Sequence, residues 1–250
     1  NQERQEDVMG KQYWRGGNML YPVPAVMVSC GRPEERPNII TVAWAGTVCS
    51  SPAMVSISVR KERYSYDILK ETGEFVINLI TRDLTYATDF CGVRSGRDVD
   101  KFAQMHLTPL PSQHISAPGI AESPVNLECK VTQVIPLGSH DMFLAEVLGV
   151  TVDEKYMDEN GKFHLNDAGL VAYSHGEYFE LGEKLGKFGY SVAKKQAAKT
   201  ESVTKSAKPS GAGKKAASAE NRTASKTEAG NRRKSASKTG SADKQKSRRK

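Results

Sequence analysis

The chain has 250 residues and a formal net charge of +7, but the charge is distributed unevenly. Residues 191–250 contain 18 Lys and Arg against 4 Asp and Glu, whereas residues 1–190 contain 18 against 25. All 18 aromatic residues precede residue 191. A segment without aromatics and with few large aliphatics cannot bury enough apolar surface to offset its conformational entropy. The composition predicts an acidic globular body with a disordered, basic Lys/Ala/Ser-rich tail, and it argues against a uniformly basic nucleic-acid-binding fold.

The cysteines and the hydropathy pattern indicate the compartment. Four cysteines are widely spaced and form no CxxC pair: Cys30, Cys49, Cys91 and Cys129. This spacing argues against a metal site and favours reduced thiols in the cytoplasm. Neither an apolar run long enough to span a membrane nor a secretory leader is evident, so we expect no membrane association. We divide the chain into an N-terminal extension (1–17), one domain (18–190) and the tail (191–250).

Short β-branched runs bounded by Gly, Pro and Ser predict the strands. The short runs cover residues 25–30, 38–44, 54–59 and 74–80. Two long strands follow between 125 and 152, separated by a break at 136–138. Strands joined by short turns outnumber helices, and the β-α-β alternation of a parallel sheet is missing. The pattern predicts a mostly antiparallel β-barrel with peripheral helices.

Three short helices are expected between and after these strands. The first begins near Tyr64 or Ser65, with Ser65 as its cap, and ends at Gly73. Thr81 is expected to cap a second helix that runs to about residue 90. Asp98 is expected to cap a third, which contains Lys101.

The segment 38–52 combines small hydroxyl residues with an aromatic at the end of a predicted strand. A loop of this composition can present backbone N–H and C=O groups to the edge of a flat heterocycle, and Trp44 can cover the ring. Shortly afterwards, basic residues at 60 and 61 precede a helix start at Tyr64 and Ser65. Cations, a hydroxyl and free helix N–H groups suit a phosphate. The two features together would suit a mononucleotide, although from spacing alone a polar turn beside a solvated basic patch is the simpler interpretation.

The body resembles the flavin reductase-like family of FMN-binding split barrels, and within it the flavoredoxin type. The resemblance extends over most of residues 18–190, and its specificity comes from the order and spacing of several segments. The matching segments are 20–25, 41–46, 49–52, 58–61 with 64–66, 73–78, 95–102 and 178–182. The resemblance implies a Greek-key split barrel that forms a homodimer, with FMN bound near the dimer interface.

The resemblance also implies the site residues. The isoalloxazine ring would be lined by Asn38, Thr41, Trp44, Thr47, Cys49, Ser50 and Ser51. The phosphate would be held by Arg60, Lys61, Tyr64 and Ser65. Lys101 would reach the flavin as a cation that stabilises its reduced form, His140 would approach the ring, and both are the catalytic candidates. The segment around Tyr173 would close the pocket, and no metal is expected.

Simpler interpretations stand beside several of these assignments. Arg60 and Lys61 are adjacent on a strand, so they point to opposite faces and we favour Arg60 as the phosphate ligand. Lys101 follows two aspartates, so it could form an ordinary surface ion pair. Trp44 could belong to the core, and His140 could lie solvated in a turn. Cys49 is more readily a small buried apolar residue than a redox group.

Three functions are compatible with the sequence. The first is an enzyme that reduces FMN, or a substrate through bound FMN, at the expense of NAD(P)H. The second is an electron carrier that receives electrons from a protein donor. The third is a non-catalytic body whose tail, 191–250, binds nucleic acid or another polyanion by releasing counterions.

Overall fold

The computed structural model describes residues 10–193. The chain divides into two units, Asn1–Phe188 and Gly189–Lys250, and the fold below belongs to the first. Of the second unit, only a 3₁₀ turn at Tyr190–Val192 is described. The predicted disordered tail lies outside the described residues from 194 onward, so its disorder and the domain boundaries remain predictions.

Strands outnumber helices in the described part of the chain. They are β1 (Val23–Pro24), β2 (Val26–Cys30), β3 (Asn38–Val42), β4 (Ala45–Ser50), β5 (Ala53–Arg60), β6 (Glu74–Leu79), β7 (Pro109–Leu110), β8 (Gly119–Ile120), β9 (Val125–Pro136), β10 (His140–Val152), β11 (Val171–Ser174) and β12 (Glu177–Glu180). The helices are α1 (Tyr64–Thr72), α2 (Thr85–Val93) and α3 (Lys101–Gln104). Further 3₁₀ turns lie at Arg82–Leu84, Glu154–Tyr156 and Leu165–Ala168.

Seven strands form one antiparallel sheet in the order β3-β2-β6-β9-β10-β5-β4. The sheet curls so that edge strand β3 lies near β5. The chain crosses from β3 to β4 through Trp44, whose carbonyl accepts a hydrogen bond of 2.8 Å from the Ser58 N–H of β5. Because β3 and β5 are not ladder partners, the barrel has a split along these two strands. The prediction of a mostly antiparallel split barrel is confirmed.

Two apolar clusters lie on opposite faces of the β3-β2-β6 part of the sheet. The barrel interior is filled by side chains that include Val28, Ile40, Ile57, Phe75 and Phe143, and α1 closes one end with Ile68 and Leu69. The outer face is covered by α2 and α3 through Met27, Ile39, Ala87, Cys91 and Phe102. β3 therefore has buried side chains on both faces, which fixes its position beside the split.

The predicted strands occur within about two residues of their expected bounds, including the long pair β9 and β10 with its break at 137–139. The segment 45–50 is a correction, because we expected a loop and the structure has strand β4. It opens with Ala45 and Gly46, two residue types that are depleted in strands. The strand forms because it pairs along most of its length with β5, with an irregularity between Thr47 and Cys49.

The helices occur in the expected places with different caps. α1 begins at Tyr64 and ends at Gly73, whose φ of 63° is the left-handed conformation expected of a terminating glycine. Ser65 is not its cap, because its hydroxyl accepts a hydrogen bond from Asn38 Nδ2 instead. The cap of α3 is Asp100 rather than Asp98. Thr81 starts the 3₁₀ turn that precedes α2, and its side chain makes no capping bond.

A buried amide connects four segments around the outer cluster. Asn78 on β6 is fully buried, and its Nδ2 donates to the Met27 carbonyl at 2.9 Å and to Ser29 Oγ at 3.0 Å. Its Oδ1 accepts from the Ile120 N–H at 2.9 Å and from Asn126 Nδ2 at 2.7 Å. The amide therefore ties β6 to β2, β8 and β9.

We expect Asn78→Leu to lower the free energy of unfolding by about 2 kcal/mol, because it leaves several buried polar groups without a partner. Urea unfolding followed by circular dichroism measures the difference. Asn160→Leu, at an exposed position, is the matched control and should change the stability by less than about 0.5 kcal/mol. Equal effects of the two substitutions would contradict a stabilising role for the network.

Candidate functional site

A groove follows the split between β3 and β5. It consists of three cavities of about 250, 140 and 410 Å³. The first and second cavities share Ile40 and Arg63 in their walls. The second and third share Trp44, Ser58 and His140. The shared lining residues show that the three cavities adjoin one another along the split, and together they are called the groove below.

The first cavity forms the basic end of the groove. It lies between β3, the start of α1 and the α2–α3 loop, and its polar lining is Asn38, Glu62, Arg63, Ser65, Arg94, Ser95, Arg97 and Lys101. Arg97 lies over the Tyr64 ring, 5.4 Å from its centroid, and donates to the Glu62 carbonyl at 3.4 Å. Guanidinium groups, hydroxyls and the N-terminus of a helix are groups that bind anions.

Lys101 is a buried cation beneath this end. Its residue is 3% exposed, and its Nζ donates to the Ile39 carbonyl at 2.6 Å and to the Cys91 carbonyl at 2.8 Å. Burial lowers the pKa of Lys101 to about 8, so the amine is mostly protonated at neutral pH. Within the described residues no carboxylate lies within 4.0 Å of it, so the surface ion pair considered from the sequence is wrong.

Asn38 and Gly96 fix the shape of the basic end. Asn38 is buried and its Nδ2 donates to Ser65 Oγ at 2.7 Å. The α2–α3 loop packs directly on it, since a Cβ on Gly96 would lie 2.1 Å from Asn38 Oδ1 and 2.7 Å from Tyr64 Cδ1. Arg36 Nη2 also donates to the Gly96 carbonyl at 2.9 Å. Only glycine permits this approach of loop and strand.

The third cavity forms an apolar, aromatic end. Its lining includes Leu20, Val23, Trp44, Leu137 and His140. His140 is the first residue of β10 rather than part of a turn, and its Nδ1 lies 2.9 Å from Ser139 Oγ. Partial burial and the nearby Arg60 guanidinium lower the pKa of His140, so the imidazole is neutral at pH 7. The groove thus changes from cationic to apolar along its length.

A family model described as a flavin reductase like domain matches residues 18–182. The chain belongs to the flavin reductase-like family. The match confirms the resemblance found in the sequence and gives the chain the class of a flavin-related oxidoreductase. A curated relative is an uncharacterized protein of Archaeoglobus fulgidus, 31% identical over 160 residues, which are 64% of this chain and 88% of the relative.

Solved structures share the fold of this flavin reductase-like chain. The flavoredoxin of Desulfovibrio vulgaris (Miyazaki F) is 34% identical and superposes with a TM-score of 0.68 over 73% of this chain and 100% of its own. An FMN-binding protein from Thermus thermophilus is 23% identical, with a TM-score of 0.59 over 73% of this chain and 99% of its own. The second likeness supports the fold alone.

Many of the site residues expected for this flavin reductase-like protein line the groove. They are Asn38, Thr41, Trp44, Arg60, Tyr64, Ser65, Lys101 and His140. Thr41 Oγ1 also donates to the Thr88 carbonyl of α2, so its hydroxyl is already engaged. These residues come from β3, the β3–β4 connection, β5, α1, α3 and β10, and the split brings them together.

The remaining expected residues lie outside the groove. Thr47, Cys49, Ser50 and Ser51 lie on edge strand β4 and the turn after it, and none of them lines the three cavities. Their contact with a flavin stays a prediction.

Lys61 and Tyr173 also do not line the three cavities, and each contacts other residues. Lys61 Nζ is 3.4 Å from the buried Asp141 Oδ1. Tyr173 packs against the rings of Tyr21 and Tyr178, at 6.3 and 5.5 Å between centroids. The preference for Arg60 over Lys61 agrees with this placement, since only Arg60 lines the groove.

Sequence reasoning missed three arginines at the basic end. Arg63 lines the first two cavities, and Arg94 and Arg97 line the first. Arg63 lies between the matching segments 58–61 and 64–66, and Arg97 lies inside the matching segment 95–102. The sequence alone does not predict that the α2–α3 loop contacts the start of α1, about thirty residues earlier in the chain.

The described residues contain no disulfide, no cluster of three or more potential metal ligands, and no helix that is both long and apolar enough to cross a membrane. Three thiols are buried, and burial raises their pKa values to about 11 for Cys30, about 11 for Cys91 and about 12 for Cys129. These thiols are protonated at neutral pH and therefore poor nucleophiles.

Proposed function

We propose that the chain binds FMN in the groove, with the phosphate at the basic end and the ring beside Trp44 and His140. One observation carries the proposal: the groove joins a cationic end to an apolar aromatic end along the barrel split. FMN has the matching pair of groups, a phosphate with a charge of about −2 and one flat heterocycle. The cofactor class agrees with membership of the flavin reductase-like family.

The residues present fit such a cofactor. The three adjoining cavities have the size of a small-molecule site, for which a few hundred cubic ångströms are typical. Arg63 and Ser65 would bind the phosphate, helped by the N-terminus of α1. Lys101 would add a buried positive charge behind them. Trp44 would cover the ring and exclude water.

Bound FMN would supply the hydride and electron chemistry, and the protein would supply geometry and charge. His140 is the residue best suited to handle a proton, because its imidazole is neutral and borders the ring end. A neutral imidazole can accept a proton at one nitrogen and donate from the other. Lys101 is too fully engaged with two carbonyls to move, so it would act as a fixed charge.

The activity we propose is NAD(P)H-dependent oxidoreduction through bound FMN. The dihydronicotinamide would be the two-electron donor, and Trp44 and His140 would border the ring on which it reacts. A fold relative from Streptomyces globisporus is titled an NADH:FAD oxidoreductase. No separate dinucleotide motif is needed if the nicotinamide stacks on the flavin.

Anaerobic stopped-flow mixing of the FMN-loaded protein with NADH or NADPH tests the donor. We expect the flavin absorbance to bleach with at least one of them. Absence of bleaching with both would overturn NAD(P)H dependence. It would favour the second candidate, an electron carrier with a protein donor, which the 34% identity with a flavoredoxin supports.

The homodimer remains part of the proposal. Large apolar side chains are exposed on β4 and β10, including Val48, Leu148 and Val150. Exposed apolar groups of this kind are typical of protein contacts. A second copy placed there would cover edge strand β4, where Thr47 and Ser50 lie, and light scattering of the full chain measures the mass directly.

The tail and the compartment also remain proposals. The basic tail, 191–250, would attract nucleic acid or another polyanion without sequence preference. Deletion of the tail should remove salt-sensitive retention on DNA and leave flavin binding unchanged. Protonated buried thiols are compatible with the proposed cytoplasmic location.

A further inference from the structure

Four aromatic side chains lead from the apolar end of the groove to the surface of α2. Trp44 lines the second and third cavities, and its ring centroid lies 6.3 Å from that of Tyr21. The Tyr21 centroid lies 6.3 Å from that of Tyr173, which lies 5.5 Å from that of Tyr178. Each step is a distance at which aromatic rings contact one another. The four rings, called the aromatic path below, follow one another without a gap.

Sheet pairing and packing fix the order of these rings. Tyr21 stands just before β1, whose residue Val23 is the ladder partner of Tyr173 on β11. Tyr173 and Tyr178 lie directly opposite each other on β11 and β12, and both pack against the outer apolar cluster. All four aromatic residues are half-buried. The contacts between the rings therefore belong to the folded structure and do not depend on mobile surface side chains.

The aromatic path ends at a carboxylate. Tyr178 Oη donates a hydrogen bond of 3.4 Å to Asp89 Oδ1 on α2. Within the described residues, the phenolic groups of Tyr21 and Tyr173 donate to no such acceptor. Burial and the negative charge of Asp89 raise the pKa of Tyr178 to about 12, so its phenol keeps its proton at neutral pH. Tyr178 is thus a protonated phenol with a proton acceptor beside it.

This arrangement decides where an oxidised side chain would come to rest. Indole and phenol rings are the side chains of the path that can lose one electron. A phenol is much easier to oxidise when its proton leaves at the same time, because the protonated radical is a very strong acid. An electron vacancy on Trp44 can be filled from Tyr21, then from Tyr173 and finally from Tyr178. Proton transfer to Asp89 would hold it at Tyr178.

We propose that the aromatic path carries one-electron oxidising equivalents from the ring end of the groove to Tyr178. The inference rests on the proposed function, because the oxidant is light-excited FMN beside Trp44. One electron leaves Trp44 for the oxidant and is replaced along the path. Tyr178 loses one electron to the path and its phenolic proton to Asp89, which leaves a neutral tyrosyl radical and a protonated carboxyl. A soluble one-electron reductant then restores the phenol, as Asp89 returns the proton.

Blue-light illumination of the FMN-loaded, full-length protein tests the path. Pentaamminechlorocobalt(III) accepts the electron irreversibly and prevents its return, and electron paramagnetic resonance after rapid freezing detects a tyrosyl radical. Tyr21→Phe interrupts the path with a ring of the same shape that is much harder to oxidise. Tyr178→Phe removes the end of the path, and Asp89→Asn removes the proton acceptor. Tyr86→Phe, an exposed tyrosine on α2 outside the path, is the matched control.

We expect a tyrosyl signal in wild type and the same signal in Tyr86→Phe. Tyr21→Phe and Tyr178→Phe should each lose most of it, and Asp89→Asn should have a lower yield of the radical. FMN affinity, measured by quenching of flavin fluorescence, should be unchanged in Tyr21→Phe, because Tyr21 does not line the groove. Unchanged affinity also shows that this variant is folded.

Three results would overturn the aromatic path. In the first, FMN-loaded wild type gives no tyrosyl signal under illumination. In the second, Tyr21→Phe gives as much signal as Tyr86→Phe. In the third, the signal survives in Tyr178→Phe, so the radical lies elsewhere. Wild-type protein that binds no FMN would instead refute the proposed function, and the fluorescence titration shows this before any sample is illuminated.

Discussion

Replacing Lys101 by methionine is expected to weaken FMN binding at least tenfold and to lower the free energy of unfolding by about 3 kcal/mol. Methionine keeps most of the side-chain volume but removes both hydrogen bonds of Nζ, to the carbonyls of Ile39 and Cys91. Two buried acceptors on β3 and α2 lose their partner, and the groove loses the positive charge behind the phosphate.

The buried amine of Lys101 makes both FMN affinity and the free energy of unfolding depend on pH. Burial lowers the pKa of Lys101 to about 8, whereas an unfolded lysine titrates near 10.4. FMN affinity should therefore fall as the pH rises through about 8. Between pH 8 and about 10.5 the unfolded state holds the extra proton, so the stability of wild type should rise relative to Lys101→Met over that interval.

Fluorescence titrations and urea unfolding at pH 6 to 10.5 measure both effects. Lys162→Met, at an exposed lysine outside the groove, is the control and should follow wild type. FMN affinity with the same pH dependence in wild type and in Lys101→Met would show that the charge of Lys101 does not act on the ligand. The unfolding data would then report a structural role alone.

Gly96→Ala should reduce FMN affinity by at least tenfold, because the new methyl group cannot be accommodated. Its Cβ would lie 2.1 Å from Asn38 Oδ1 and 2.7 Å from Tyr64 Cδ1, so the loop or both side chains must move. Overpacking of this kind costs about 1–3 kcal/mol of stability. The displaced loop would also carry its arginines away from the basic end.

Gly182→Ala provides the comparison, because a Cβ there would meet nothing within 4 Å and the backbone does not require a positive φ. Titration with FMN and urea unfolding are applied to both variants. If Gly96→Ala bound FMN as tightly as Gly182→Ala does, the packing of the α2–α3 loop on Asn38 would be unimportant for the site.

The sequence predicted the regular strands well because their apolar alternation reflects local packing. Strand β4 was not predicted, because its Ala, Gly and Ser residues interrupt any strand pattern and the segment becomes a strand by pairing with β5. Ser65 was expected to cap α1 from its position beside the helix start. The structure uses its hydroxyl for Asn38, a partner 27 residues away that local reasoning does not supply.

The candidate site was predictable where its residues are neighbours in sequence. Tyr64 and Ser65 follow Arg60 closely, and all three line the groove. Lys101 could be named from the family resemblance, but its burial could not be predicted because two aspartates precede it and suggest a surface position. The loop arginines were missed for a related reason, since only the packing of Gly96 on β3 brings the α2–α3 loop to the start of α1.

Titration of the purified full-length apoprotein with FMN tests the central claim most directly. We predict quenching of flavin fluorescence that saturates at one FMN per chain, with a dissociation constant of about 1 µM or lower. Arg63→Gln should weaken this binding about tenfold, because Arg63 lines the basic end and the cavity next to it. Protein that remains colourless and leaves the FMN fluorescence unchanged would contradict the account.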